Sequence, residues 1–293
     1  MTRQDNWGYF FVAPALIIFI VFVLLPVVMT FGYSFFKYDG FNPMTFVGLD
    51  NYKRMFADKV YIGSYGRTLF YIGTTLVLEV LVGLLLAAVV SSKIKGSILF
   101  RTAFFAPAML PGVVVGLIWS FVYNQRFGLL NSLLTLFGLE SWTRSWLGDS
   151  RTALLAVCVV SGWVFSGYYM TIFYAAMQRI PRELFEAAEI DGAGPVLQFL
   201  KVKLPLTMDM VWVAVLLCVT GGFQGFDLFY VMTNGQPNHS TEIVTTWLVR
   251  TVFSIRDVGY GAALSVMLTA VVLFLTWLIV SLQKKLLSGD DAL

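Results

Sequence analysis

Charge is scarce in this chain. Asp, Glu, Lys and Arg make up 13% of its 293 residues, against about 25% in soluble domains, and a soluble globular domain is thereby excluded. The net charge of +3 is spread along the sequence and forms no basic patch or stripe, which excludes a nucleic-acid partner. Histidine is nearly absent: a His-based metal centre, or a Ser/His or Cys/His pair, would have to be built around His239 alone. The two cysteines, Cys158 and Cys218, both fall inside apolar runs, where a thiol behaves as a small hydrophobe and carries no information about redox compartment. No G-x-x-x-x-G-K-[ST] run occurs. The nearest Gly-rich stretch, 192–194, lacks the Lys and Ser/Thr that cradle phosphates and hold Mg²⁺.

What is present is long apolar sequence: 58% of residues are hydrophobic, 16% aromatic, and the mean hydropathy is +0.78. A helix needs roughly 20 apolar residues to cross about 30 Å of hydrocarbon. Uncharged runs of that length occupy 6–36, 102–125, 152–178 and 258–283, and two more carry one acid each, Glu79 within 68–92 and Asp227 within 210–232. The pattern predicts six spans, at about 9–34, 68–91, 102–124, 152–178, 208–232 and 258–283. The first run far exceeds the h-region of a signal peptide, and only Arg3 precedes it, so it is read as a retained helix. Pro14, Pro26, Pro107 and Pro111 lie within spans, where neighbouring helices and water satisfy the freed carbonyls; kinks are expected there, not helix ends. An even number of spans puts both termini on one side, yet the 20 Lys and Arg divide equally between the two sides. Their density near helix ends alone favours termini inside.

One stretch breaks the apolar pattern: RELFEAAEIDGAGPVLQFLKVKLP, residues 182–205. Pro181 and Pro195 each stand at the start of a short helical run, and Gly194 occupies the cap position before the second. In the first run Leu184, Ala187 and Ala188 share one face, and Arg182, Glu186 and Glu189 another; in the second, Val196, Phe199, Leu200 and Lys203 align. Asp191-Gly192 between them is turn chemistry. The segment is thus an amphipathic helix-turn-helix outside the bilayer, serving either as a membrane-surface pair or as a docking surface for a soluble partner. Its acidic face argues against anionic lipid. A third reading, Glu183, Glu186, Glu189 and Asp191 as catalytic or metal-binding carboxylates, lacks any sign of a supporting pocket.

Glu186-Ala187-Ala188, three residues, Gly192, nine residues, then Val202-x-Leu204-Pro205 resembles the EAA loop of membrane subunits in binding-protein-dependent ABC importers, with Val202 where Ile is common. FVGLDNY at 46–52, FGLLN at 127–131 and FDLFYVMTNGQP at 226–237 are similar to sugar-importer permeases of the maltose and glycerol-phosphate type. The resemblance implies an all-α membrane protein with six transmembrane helices, one transmembrane domain over 1–293, and a cytoplasmic EAA coupling loop at 180–205 between spans four and five. Both termini are then cytoplasmic, in a bacterial-type inner membrane. Glu186, Ala187, Ala188, Asp191, Gly192, Ala193, Leu204 and Pro205 are implied to contact an ATPase subunit. The chain is expected to be no enzyme and to hold no cofactor, with ATP and Mg on two partner ATPase subunits. A second homologous permease, with a homodimer the less favoured alternative, an extracytoplasmic solute-binding protein and a sugar or polyol complete the expected partners within the lipid bilayer.

In permeases of the maltose type, spans four and five contact substrate. The corresponding positions are Ser161, Val164, Phe165 and Tyr168, then Cys218, Gly221, Gly222 and Gly225, each set spaced as one helix face; Gln224 is a further polar residue at membrane depth. The small fifth-span face either leaves room for a ligand or packs closely on another helix. Asp227 is either functional or a helix-end residue near the outer interface. Glu79 is expected to point into the bundle, as a structural hydrogen-bond partner or, less readily, in a proton relay. The rivals are a self-sufficient secondary transporter, for which repeats and several intramembrane charges are missing, and an intramembrane enzyme, for which no nucleophile–base pair is present.

Overall fold

Apolar runs with no alternation of period two leave the backbone one way to satisfy its own N–H and C=O groups in hydrocarbon, the helix. The computed structural model describes residues 5–91 and 96–290; Arg3, Lys93 and Lys95, which enter the charge count, and the end of the tail at 291–293 lie outside the described residues. Among those described, four helices are long and apolar enough to cross a membrane: Phe11–Tyr33, Lys59–Val90, Ala153–Met177 and Val258–Leu286. Two bent pairs, Ser97–Met109 with Gly112–Val122 and Pro195–Leu206 with Met208–Gln224, bring the number to six if each is one span.

The bends refine the sequence expectations. Around Pro107 and Pro111 the chain does more than kink: the two halves meet at 99°. Leu110 precedes a proline, which disfavours helical backbone, and it is extended (φ −82°, ψ 141°); a new helix starts at Gly112. The helix expected over 208–232 closes at Gln224, because Gly225 and Phe226 leave helical geometry, and Asp227–Met232 forms a separate short helix. The second span begins at Lys59, earlier than 68. Arg67 is accommodated within it, its Nε donating to the Glu242 carbonyl at 2.6 Å.

The chain divides into two compact units. In the first, residues 1–62 and 247–271, a two-stranded antiparallel ribbon pairs Phe36 with Phe46 and Lys37 with Thr45. Asn51 of the FVGLDNY stretch donates to the carbonyls of Ser34 and Phe36, both at 2.9 Å, and Tyr52 donates to Ser34 Oγ at 2.7 Å. Asp58 accepts from Trp247 Nε1 at 3.0 Å and Tyr260 Oη at 2.8 Å. The first span has apolar side chains exposed along its length, Phe22 at 74% among them, as a lipid-facing helix requires.

The second unit, residues 63–246 and 272–293, is built around Ala153–Met177, whose Val157, Cys158, Val160, Ser161, Met170 and Phe173 are wholly buried. Small residues let neighbours approach the backbone closely. A Cβ on Gly167 would lie 1.9 Å from the Phe104 carbonyl oxygen, and one on Gly83 would lie 2.9 Å from the Met170 nitrogen. Asn131 of the FGLLN stretch organises the connection to this helix, donating to Arg144 O at 3.0 Å and accepting from Trp146 Nε1 at 2.8 Å. His239 Nδ1 lies 3.0 Å from Glu242 Oε2 in the turn after Asp227–Met232.

Candidate functional site

A cavity of about 320 Å³ opens where helix breaks converge, at the low end of the size of small-molecule sites. Tyr71 enters from the second span; Ala108, Leu110 and Gly112 come from the break in the third; Val164 and Phe165 come from the fourth. Gly221, Gln224 and the segment 225–229 close it. Backbone leaves helical geometry at membrane depth only where it is buried in protein or lines a cavity, and both breaks meet that condition here. Thr245 Oγ1 donates to the Gly225 carbonyl exposed by the break.

Val164, Phe165, Gly221, Gln224 and Gly225 therefore share one cavity. Ser161, Cys218 and Gly222 are buried behind it. Ser161 donates to Glu79 Oε1 at 2.8 Å, and Tyr71 Oη lies 2.9 Å from Ser161 Oγ. Since the serine proton goes to the carboxylate, Tyr71 is the donor to serine. Glu79, itself buried within a π-helical turn at Leu76–Leu81, thus points into the protein and ends a hydrogen-bonded chain. Cys218 Sγ donates to Thr75 Oγ1 at 3.5 Å, and a Cβ on Gly222 would meet Ile72 at 2.4 Å, whereas one on Gly221 would meet nothing within 4 Å. The small-residue face thus divides: Gly222 packs on a helix and Gly221 faces open space. Tyr168 is part-exposed, edge-on to Tyr169 at 5.4 Å, and lies outside the cavity lining. The i, i+3, i+4, i+7 spacing spreads residues over a stripe about 100° wide, and packing decides which of them reach the cavity: Val164 and Phe165, at the two edges of the fourth-span set, both do, while Ser161 between them does not.

Sequence reasoning did not anticipate Tyr71, Phe226 or the wall from the third span. The available signal was Leu110-Pro111-Gly112 inside an apolar run, three residues that together stop a helix.

The charged segment forms the expected pair of helices. Pro181 caps Arg182–Ile190, one position earlier than the first-turn place expected of it, while Gly194 caps a helix opening with Pro195. The reversal is tight: Ala193 N donates to Ala188 O at 2.8 Å, and Gly192 adopts φ +79°, a conformation open to glycine and strained for branched residues. Glu186, Ala187, Asp191 and Pro205 are exposed, Ala188, Ala193 and Leu204 part-buried. The apolar Ile190 and Val196 stand 87% and 73% exposed. From the second helix, Phe199 and Leu204 pack on the core that holds Val90 and Met177. Lys203 Nζ donates to Ser91 Oγ at 2.8 Å and sits 5.7 Å from the centre of the Phe185 ring. One end of the segment is bolted to the second and fourth spans, and the other presents an uncovered mixed face. No group of three or more His, Cys, Asp or Glu among the described residues is placed to hold a metal ion.

The model of the family "Binding-protein-dependent transport system inner membrane component" matches residues 79–288. The chain is 39% identical over 280 residues to the probable ABC transporter permease protein YurN of Bacillus subtilis strain 168, covering 94% of each chain. It is 35% identical to the sn-glycerol-3-phosphate transport system permease protein UgpA of Escherichia coli O157:H7, covering 93% of this chain and 92% of that one. The crystal structure of a bacterial ABC transporter involved in the import of the acidic polysaccharide alginate contains a chain that superposes with a TM-score of 0.86 at 18% identity. The match covers 97% of this chain and 96% of that one, and shares the fold.

Proposed function

The chain belongs to the family of binding-protein-dependent transport system inner membrane components, and from that premise we propose that it forms half of the translocation path of an ATP-driven importer for a sugar or polyol. In this reading residues 1–293 make one transmembrane domain that pairs with a second, homologous permease, receives substrate from an extracytoplasmic binding protein and is driven by two separate ATPase subunits. ATP and Mg belong to those subunits, and this chain catalyses no reaction. The segment 180–205 faces the cytoplasm, as do both termini. Its uncovered face, with Glu186, Ala187 and Asp191, docks the ATPase, while Gly192, Ala193, Leu204 and Pro205 hold its shape.

The observation that carries the path is the cavity at the helix breaks, where Phe165 and Val164 face Gly221, Gln224 and Gly225. Aromatic and apolar walls accept the C–H faces of a sugar ring, and a few convergent polar groups orient its hydroxyls. Ser161, Cys218 and Gly222 support these walls from behind, and Tyr168 belongs to the fourth span's exposed face beside them. The test is uptake by the reconstituted importer. Phe165→Ala, which removes a 39% exposed ring, is expected to lower uptake while assembly and basal ATPase activity persist. Unchanged uptake would show that substrate passes elsewhere.

A further inference from the structure

If the cavity is on the path, as proposed above, its chemistry also bears on what can pass. Of its lining rings, Tyr71 meets Phe229 edge-on at 4.9 Å, and Phe226 is held by stacking on Tyr230, outside the lining, at 5.0 Å. Gln224 offers an amide that both donates and accepts. Asp227 is the one charged group among the described lining residues. It is exposed and has neither hydrogen-bond nor ion-pair partner among the described residues. Gly112, the first residue of the helix Gly112–Val122, packs directly against it: a Cβ there would come within 3.1 Å of Asp227 Oδ2, so no neutralising side chain reaches the carboxylate from that side, and what it meets there is the partial positive charge of a helix N-terminus.

We propose that Asp227 is a specificity-determining residue that makes this path selective by charge, admitting uncharged and amino-bearing sugars and rejecting uronic acids and sugar phosphates. A carboxylate offers acceptors only, which suit hydroxyl and ammonium donors. A second anion beside it, in a cavity with apolar walls and no cation, is repelled more strongly than it would be in water. Gln224 and the rings carry no charge and do not offset this.

The assembled importer in detergent provides a test independent of what the binding protein delivers. Gly221→Cys places a thiol in open space on the cavity wall, and the native Cys158 and Cys218 are buried. Its modification is timed with a cationic (trimethylammonium) and an anionic (sulfonate) methanethiosulfonate, each rate divided by that of the same reagent with a free thiol in solution. The cationic reagent is expected to be faster by about ten-fold, the order of one partly screened charge–charge interaction, and Asp227→Asn to bring the two rates together. Equal rates in both backgrounds, or a preference that survives Asp227→Asn, would overturn the proposal. Uptake by reconstituted protein before and after complete modification tests the path assignment separately: uptake unchanged by modification overturns that assignment, and the selectivity with it, whatever the rates. Phe165→Cys on the facing wall repeats both readings should Gly221→Cys fail to assemble.

Discussion

Ser161 hands its proton to Glu79 and receives one from Tyr71, so three polar groups from two helices satisfy each other where water is scarce. Removing the terminal acceptor leaves two hydroxyl protons, those of Tyr71 and Ser161, with only the bond between the two hydroxyls to share, and such losses inside membrane proteins amount to about 1–2 kcal/mol. Glu79→Ala is therefore expected to lower the thermal unfolding midpoint of the purified protein in detergent, and Glu79→Gln, which keeps a carbonyl acceptor, to recover most of it. Equal destabilisation by both would mean that the carboxylate is needed for something other than accepting this bond. The same serine shows why shared helical spacing does not by itself bring residues into one cavity. Ser161 and Phe165 share a stripe, yet one is wholly buried and the other 39% exposed, because the second span covers only part of it.

Among the elements, the short pair at 182–206 is anchored through its second helix more firmly than its length would suggest. Isolated helices this short are marginal; here Phe199 and Leu204 are set in the core and Lys203 is tied to Ser91. A Cβ at Gly192 would meet nothing within 4 Å, yet the residue holds φ +79°, so its requirement is one of backbone conformation rather than space. A branched residue there is expected to cost about 1–2 kcal/mol locally and reshape the turn. If the pair transmits force from an ATPase, Gly192→Val and Glu186→Lys should both leave the chain inserted in the membrane while uptake fails and the ATPase no longer co-purifies. Uptake and pull-down measured on the same preparations decide it: normal transport by either variant would remove the pair from the coupling role.

Over the full chain, the division of labour with an ATPase can be tested directly. No phosphate-cradling loop exists in the sequence, and the helix breaks are lined by rings, small residues and one carboxylate, a poor environment for polyphosphate. The purified chain alone is expected to show no ATP binding at micromolar nucleotide and no hydrolysis. Saturable binding in equilibrium dialysis would overturn the assignment of energy conversion to separate subunits.

Local chemistry was enough to set the class of molecule, the approximate places of its long apolar helices, and the helix-turn-helix at 182–205. Apolar length is matched against bilayer thickness, proline and glycine mark helix starts and turns, and charges cannot readily enter hydrocarbon. The resemblance to permeases of the maltose type, rather than spacing, singles out Val164, Phe165, Gly221 and Gly225, and polarity at membrane depth singles out Gln224; all five line the cavity. Which part of a stripe is covered depends instead on packing. Ser161 is used up by Glu79, and Gly222 by Ile72, while Gly221 is left open. The cavity itself was equally out of reach of the sequence: it exists because the 99° break at Pro111 brings the third span's backbone beside a second break at Gly225. Two helix ends remote in sequence meet only through the tertiary structure, and no local pattern in either one encodes the other.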